Sequence, residues 1–169
     1  MANDMRRPAA KAPSIHPPID SLMDALTFRL ARLDALNAHV GGLKFRETYG
    51  LSLKEWRVIG LVHAFEPATF GQIRKYLLID KGQLSRTVRR LTDQRILLSQ
   101  TAADDARRTE LSLTPEGRRL HDRLLAFTAE RNEIVVSTLT PEECREFLRI
   151  LAKITDYCET RPELSEAGA

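Results

Sequence analysis

Cysteine is nearly absent from this sequence: Cys144 and Cys158 are the two thiols in 169 residues. Two cysteines make no disulfide framework and give no sign of an oxidising compartment. Both fall on one predicted helix, roughly 21 Å apart at 1.5 Å per residue, too far to bridge within the chain. Aromatics are also scarce, at 6%, so Leu, Ile, Val and Ala must fill the core. No apolar run approaches the roughly 18 residues of a spanning helix, so no membrane contact is expected. The histidines are His16, His39, His63 and His121. They form no His-x-x-x-His pair and have no short cysteine pair beside them, so neither metal nor other cofactor is expected. A nucleophile elbow and a glycine-rich phosphate loop are missing too, which argues against an enzyme. Residues 1–18 carry Arg6, Arg7 and Lys11 but no apolar h-region, so they do not read as a secretory leader. They are rich in Pro and Ala and read as a disordered arm, and the expected compartment is the cytoplasm.

What is present is a chain of one-domain size with 43% hydrophobic residues and a net charge of +3. The charge is uneven. Residues 69–119 hold 11 Lys or Arg against 6 Asp or Glu, and the remainder holds 15 against 17. A basic block inside a slightly acidic chain has the pattern of a grafted nucleic-acid-binding surface.

Local signals divide the chain as follows. A first helix is predicted over 21–40, capped by Ser21 and ended by Gly41-Gly42. Its apolar stripe, Leu22, Leu26, Leu30, Leu33, Leu36 and Val40, is broader than one neighbour covers. A second helix spans 52–65, with Ser52 and Glu55 forming a capping box. A short helix over 69–77 is followed by a break at Ile79-Asp80-Lys81-Gly82 and a helix over about 82–94. Residues 96–100 and 109–113 read as two strands, since Leu111 and Leu113 alternate with Glu110 and Ser112. Thr114-Pro115 and Thr140-Pro141 each open a long helix, with threonine as cap and proline in the first turn. The expected division is a 1–18 arm, dimerisation helices in 19–50 and 116–160, a DNA-binding domain over 51–115 and a flexible 161–169 tail. The long outer helices would bury each other across a two-fold axis.

The stretch L-I-D-K-G-Q-L-S-R-T-V-R-R-L, residues 78–91, carries the functional signal. Leu84, Val88 and Leu91 recur at helical spacing and should face the core. Gln83, Ser85, Arg86, Arg89 and Arg90 fall on other faces. Guanidiniums, amides and hydroxyls suit a DNA major groove, where Arg pairs bidentately with guanine and Gln with adenine. A plainly solvated helix face is the competing explanation, although such a face more often alternates Arg with Glu. Arg107 and Arg108 sit at the hairpin tip, where arginine can enter a narrow minor groove. Trp56 and His63, seven apart on one helix face, could line a ligand cleft or form a core pair.

Taken together, residues 22–157 resemble the MarR family of winged helix-turn-helix repressors. The similarity is most specific over 73–114: the Asp80-Lys81 and Ser85-Arg86 pairs, the wing's Asp105-x-Arg107, and the closing Leu113-Thr114-x-x-Gly117. The fold expected is mainly α with a small β-wing, a winged helix-turn-helix core flanked by N- and C-terminal dimerisation helices. The resemblance implies a homodimer that binds a palindromic operator in double-stranded DNA and releases it when a small phenolic or anionic effector enters a cleft. It implies major-groove and backbone contacts from Lys81, Gln83, Ser85, Arg86, Thr87, Arg89 and Arg90. In the wing it implies a minor-groove contact from Arg107, aided by Arg108, with Asp105 as a brace. Three positions depart from the family pattern. Gly82-Gln83 stands where Ser-Thr is commoner, Arg95 stands where glycine often closes the reader helix, and Ala106 replaces a frequent basic residue. The alternatives share the fold: an effector-independent activator or architectural protein, or a winged-helix protein-interaction adaptor.

Overall fold

The structure is a computed structural model, and it describes residues 16–102 and 108–161. The chain divides into two compact units, one ending at Gly50 and the other beginning at Leu51.

The first unit is a single turn of 3-10 helix, Leu22–Asp24, followed by α1, Leu26–Tyr49. Ser21 does act as a cap, but of that short turn: its N–H and its hydroxyl both donate to Asp24 Oδ2 at 2.9 Å. Arg29 also lies near that carboxylate. The predicted stop at Gly41-Gly42 is wrong. α1 runs through both glycines and ends at Gly50, whose φ of +66° closes the helix in the left-handed region. Two glycines inside a helix each cost about 1 kcal/mol relative to alanine, which weakens a helix without ending it. Phe45 and Tyr49, one turn apart and with ring centroids at 5.2 Å, belong to the continuation. Leu33, Leu36, Val40 and Leu43 of α1 are exposed.

The second unit is built around α2, Leu53–Phe65, which packs on α3 (Phe70–Leu77), α4 (Lys81–Asp93), α5 (Pro115–Val136) and strands β1 (Ala68–Thr69) and β3 (Thr109–Leu113). Its core comprises Val58, Ile59 and Val62 from α2, Ile73 from α3, Leu84, Val88 and Leu91 from α4, Leu111 and Leu113 from β3, and Leu120 and Leu124 from α5. Each side chain of this size contributes about 1.5–3 kcal/mol on leaving water.

The wing is a three-stranded antiparallel sheet in the order β1-β3-β2, with β1 at Ala68–Thr69, β2 at Leu97–Thr101 and β3 at Thr109–Leu113. The sequence predicted the β2–β3 hairpin but not β1, because two residues carry no alternation to read. Register places Leu97 opposite Leu113, and both Ser99 and Ala68 opposite Leu111. Leu111 therefore sits mid-sheet, fully buried, with Glu110 and Ser112 turned the other way.

The N-terminal half of α5 docks on this module through Gly117, Leu120, His121 and Leu124. Farther along, Ile134 and Val135 are exposed. α6, Pro141–Glu159, has no buried residue although Phe147, Leu148 and Ile150 are all on it. Among the described residues no helix is long and apolar enough to cross a membrane.

Candidate nucleic-acid interface

The candidate reader is α4, and its start is fixed by the residue before it. Asp80 Oδ1 accepts the Gln83 N–H at 2.8 Å, a side-chain cap worth about 0.5–2 kcal/mol. Gly82 leaves space at this end. A Cβ there would stand 3.2 Å from Asp80 Oδ1 and 3.6 Å from Arg86 Nη1. The Arg86 side chain thus folds back toward the helix start over a residue with no side chain of its own.

Leu84, Val88 and Leu91 point inward, as their spacing predicts. At about 100° per residue, Gly82, Arg86, Arg89 and Asp93 lie opposite that stripe. Lys81, Ser85, Arg86 and Arg89 are exposed, and Gln83 is half-buried. The outer surface of α4 therefore combines cations with neutral donors and acceptors. Thr87 is turned to the helix itself: its hydroxyl donates to the Gln83 carbonyl at 3.1 Å.

Arg90 also has a partner within the protein. Its Nε lies 3.0 Å from Glu55 Oε1, and the Glu55 side chain is only 6% exposed. The other carboxylate oxygen of Glu55 accepts the Ser52 N–H at 2.7 Å and the Ser52 hydroxyl at 2.8 Å. The capping box of α2, legible in the sequence, thus has a second use: its carboxylate meets α4. No spacing rule could have linked residues 55 and 90.

α4 ends on Arg95, whose φ is +58°. The Arg95 N–H donates to the Thr92 carbonyl and the Ile96 N–H to the Leu91 carbonyl, both at 2.9 Å. This is a Schellman closure with arginine in the place glycine prefers. The conformation costs an L-residue roughly 1–2 kcal/mol. Leu78, in the turn before α4, also has a positive φ, +52°.

The Leu-Thr-x-x-Gly segment fastens the wing to α5. Thr114 accepts the Gly117 N–H at 2.9 Å and donates its hydroxyl to the Arg95 carbonyl at 2.7 Å. The Thr114 N–H donates to the Ile96 carbonyl. Any side chain at residue 117 would run into that same Ile96 carbonyl. The motif is therefore a joint where the end of α4, the start of β2 and the start of α5 meet within hydrogen-bonding distance.

In the wing, the Ala102 N–H donates to the Arg108 carbonyl at 2.8 Å, at the base of the hairpin tip. Arg108 pairs with Glu110 at 3.2 Å. Asp105 and Arg107 lie outside the described residues.

Trp56 and His63 are brought together by a residue that the sequence did not connect with them. His121 of α5 stacks on His63 with ring centroids 3.9 Å apart and faces Trp56 at 5.5 Å. His121 is buried, Trp56 half-buried and His63 exposed. A separate cleft of about 460 Å³ opens between Arg95, Leu98, Pro115 and Arg119, and neither Trp56 nor His63 lines it. In that cleft the hydrogen bond from Arg119 holds the Glu116 carboxyl below its ordinary value. Among the described residues no cluster of three or more His, Cys, Asp or Glu could hold a metal ion. Cys144 is half-buried and Cys158 exposed, and both are free thiols.

A helix pair whose second member turns arginines outward, followed by a β-wing, defines a winged helix-turn-helix protein. Residues 49–108 match the model of the MarR family. The fold as a whole is similar to three solved structures. A SlyA-like transcription regulator from Listeria monocytogenes aligns with a TM-score of 0.75 at 14% identity, over 85% of this chain and 95% of that one. The S. aureus MepR–DNA complex aligns at 0.69 and 19%, over 81% and 99%. The PcaV transcriptional regulator from Streptomyces coelicolor, in complex with its natural ligand, aligns at 0.67 and 21%, over 80% and 95%. At these identities the likeness concerns the fold. No curated protein matches the chain.

Proposed function

We propose that the protein is a homodimeric transcriptional regulator, a repressor that binds a palindromic operator and leaves it when a small phenolic or anionic effector binds. The observation that carries the DNA-binding part is α4. Its apolar residues are all turned inward and Arg86 and Arg89 outward, on a helix whose start is capped and whose end is locked. Arg and Gln on such a helix have the donor geometry for guanine and adenine edges. Lys81, Gln83, Ser85, Arg86 and Arg89 are the side chains assigned to the groove and its phosphates. In the wing, Arg107 and Arg108 are assigned to the minor groove, with Asp105 as their brace.

Dimerisation is supported by uncovered apolar residues on three long helices: Leu33, Leu36 and Val40 on α1, Ile134 on α5, and Phe147 and Leu148 on α6. Amphipathic helices of this length do not normally leave such residues to water. A two-fold pair would present two α4 helices to half-sites about one helical turn, roughly 34–36 Å, apart. The effector is assigned to the aromatic group of Trp56, His63 and His121, where imidazole and indole faces could stack on a planar ligand. Its entry would alter the spacing of the two readers.

The test is a titration of purified protein against DNA from immediately upstream of its own gene, with scrambled DNA alongside, at two salt concentrations. Saturable binding that prefers the native fragment and weakens with salt is expected, because phosphate contacts release counterions. Equal, weak binding to both fragments would reduce α4 to a basic surface and favour the architectural or adaptor alternatives.

A further inference from the structure

We infer that Arg90 does not read DNA but positions the helix that does. Its guanidinium, held on Glu55, fixes how α4 is turned against α2. The inference rests on the DNA-binding reading of α4 and revises its residue list.

The sequence presents Arg86, Arg89 and Arg90 as one basic group. The structure separates them. Arg86 and Arg89 lie opposite the buried stripe, whereas Arg90 sits on a flank of α4, where its Nε meets Glu55 Oε1 at 3.0 Å. Glu55 as a whole is 4% exposed. A carboxylate that deeply buried is costly unless it is hydrogen-bonded and paired. Ser52 supplies two donors to one oxygen, and the Arg90 guanidinium lies within ion-pair distance of the other. The Arg90 side chain is itself 57% exposed, but if it swung out to a phosphate the buried Glu55 carboxylate would lose its cationic partner. The pair is therefore a built contact between the first turn of α2 and the third turn of α4. Rotation of α4 about its own axis would move Arg86 and Arg89 across the groove, and the same rotation would pull Arg90 off Glu55.

Glu55→Gln isolates this contact. Glutamine serves in a capping box as glutamate does, so the start of α2 is retained while the charge that faces Arg90 is removed. The experiment compares the unchanged protein with Glu55→Gln, Arg90→Ala and the double variant. The probes are a duplex that the unchanged protein selects from a random-sequence pool and a scrambled duplex. Binding is measured over a series of salt concentrations, at a temperature where circular dichroism shows every variant folded.

Both single variants should lose about 10-fold in their preference for the selected duplex, a change of about 1.4 kcal/mol. The double variant should be no worse than the poorer single one, as expected for two residues acting through one contact. The slope of log K against log salt should be unchanged in Arg90→Ala, since no phosphate contact is lost. A slope shallower by about 0.9 in Arg90→Ala, with Glu55→Gln binding normally, would overturn the inference and make Arg90 a phosphate contact. Additive losses would overturn it as well. If the unchanged protein selects no duplex, it is the DNA-binding reading that fails. The same four proteins then decide the contact through thermal unfolding: coupled losses uphold the Glu55–Arg90 joint, and additive ones overturn it.

Discussion

Replacing Gly117 by alanine should destabilise the protein even though alanine is the better helix former. Residue 117 lies in the first turn of α5, and a Cβ built there runs into the Ile96 carbonyl oxygen, with the carbonyl carbon at 3.1 Å and Thr114 Oγ1 at 3.3 Å. The obstacle is backbone, so no rotamer change can relieve it. The start of α5 must move away from Ile96. That movement strains the Thr114 N–H bond to the Ile96 carbonyl and the Thr114 hydroxyl bond to the Arg95 carbonyl. Each bond contributes about 0.5–1.5 kcal/mol, and overpacking adds about 1–3 kcal/mol. Alanine returns about 1 kcal/mol through helix propensity. The net loss is about 1–5 kcal/mol, centred near 3. At about 2–4 °C per kcal/mol for a chain of this size, Tm should fall by roughly 10 °C. Thermal unfolding followed by circular dichroism measures it. Gly71→Ala is the matched control: its Cβ meets nothing nearer than Thr69 Oγ1 at 3.9 Å, so Tm there should rise by a few degrees. An unchanged or raised Tm in Gly117→Ala would refute the close-approach argument.

Three further outcomes are expected. Arg95→Gly should stabilise by about 0.5–1 kcal/mol, because relief of the left-handed strain exceeds the added chain entropy of glycine. A lower melting temperature would mean that the Arg95 side chain holds something its backbone does not reveal. Arg86→Ala should weaken binding to a selected duplex by about 1–3 kcal/mol and scrambled DNA far less, as a base contact requires; equal losses on both would make it a phosphate clamp. Phe147→Glu, a charge placed on the uncovered face of α6, should shift the protein from dimer to monomer in sedimentation equilibrium, and a persistent dimer would remove α6 from the interface.

Much of the fold was legible because its punctuation is local. Ser52, Thr114 and Thr140 each open a helix within a residue of where their capping chemistry puts it, and Asp80 does the same for α4. The alternation Leu111, Leu113 located β3. The misses have physical causes. Gly41-Gly42 looks like a stop, but glycine ends a helix only where the chain turns left-handed, and in α1 that happens at Gly50. β1 is defined wholly by its partner β3, so nothing within Ala68–Thr69 announces it. The stacking of His63 on His121 joins residues 58 positions apart, on helices whose packing geometry no periodicity encodes.

The three arginines of α4 show where periodicity stops being informative about function. Helical spacing assigns each side chain an angle: Arg86 lies opposite the buried stripe and Arg90 on a flank, and both are exposed. What separates them is an acid 35 positions earlier, whose own sequence signal concerns a different helix. A capping-box glutamate completes its task within its own helix start. Here it is buried, and burial turns a local cap into a site that demands a cation. The number of positive charges on a reader helix therefore overstates the number available to nucleic acid. If Arg90 keeps α4 turned as inferred, the charge that DNA would meet on α4 rests on Lys81, Arg86 and Arg89. Its measure is the salt slope: replacing a cation of α4 that meets a phosphate should make it shallower, and Arg90→Ala should not.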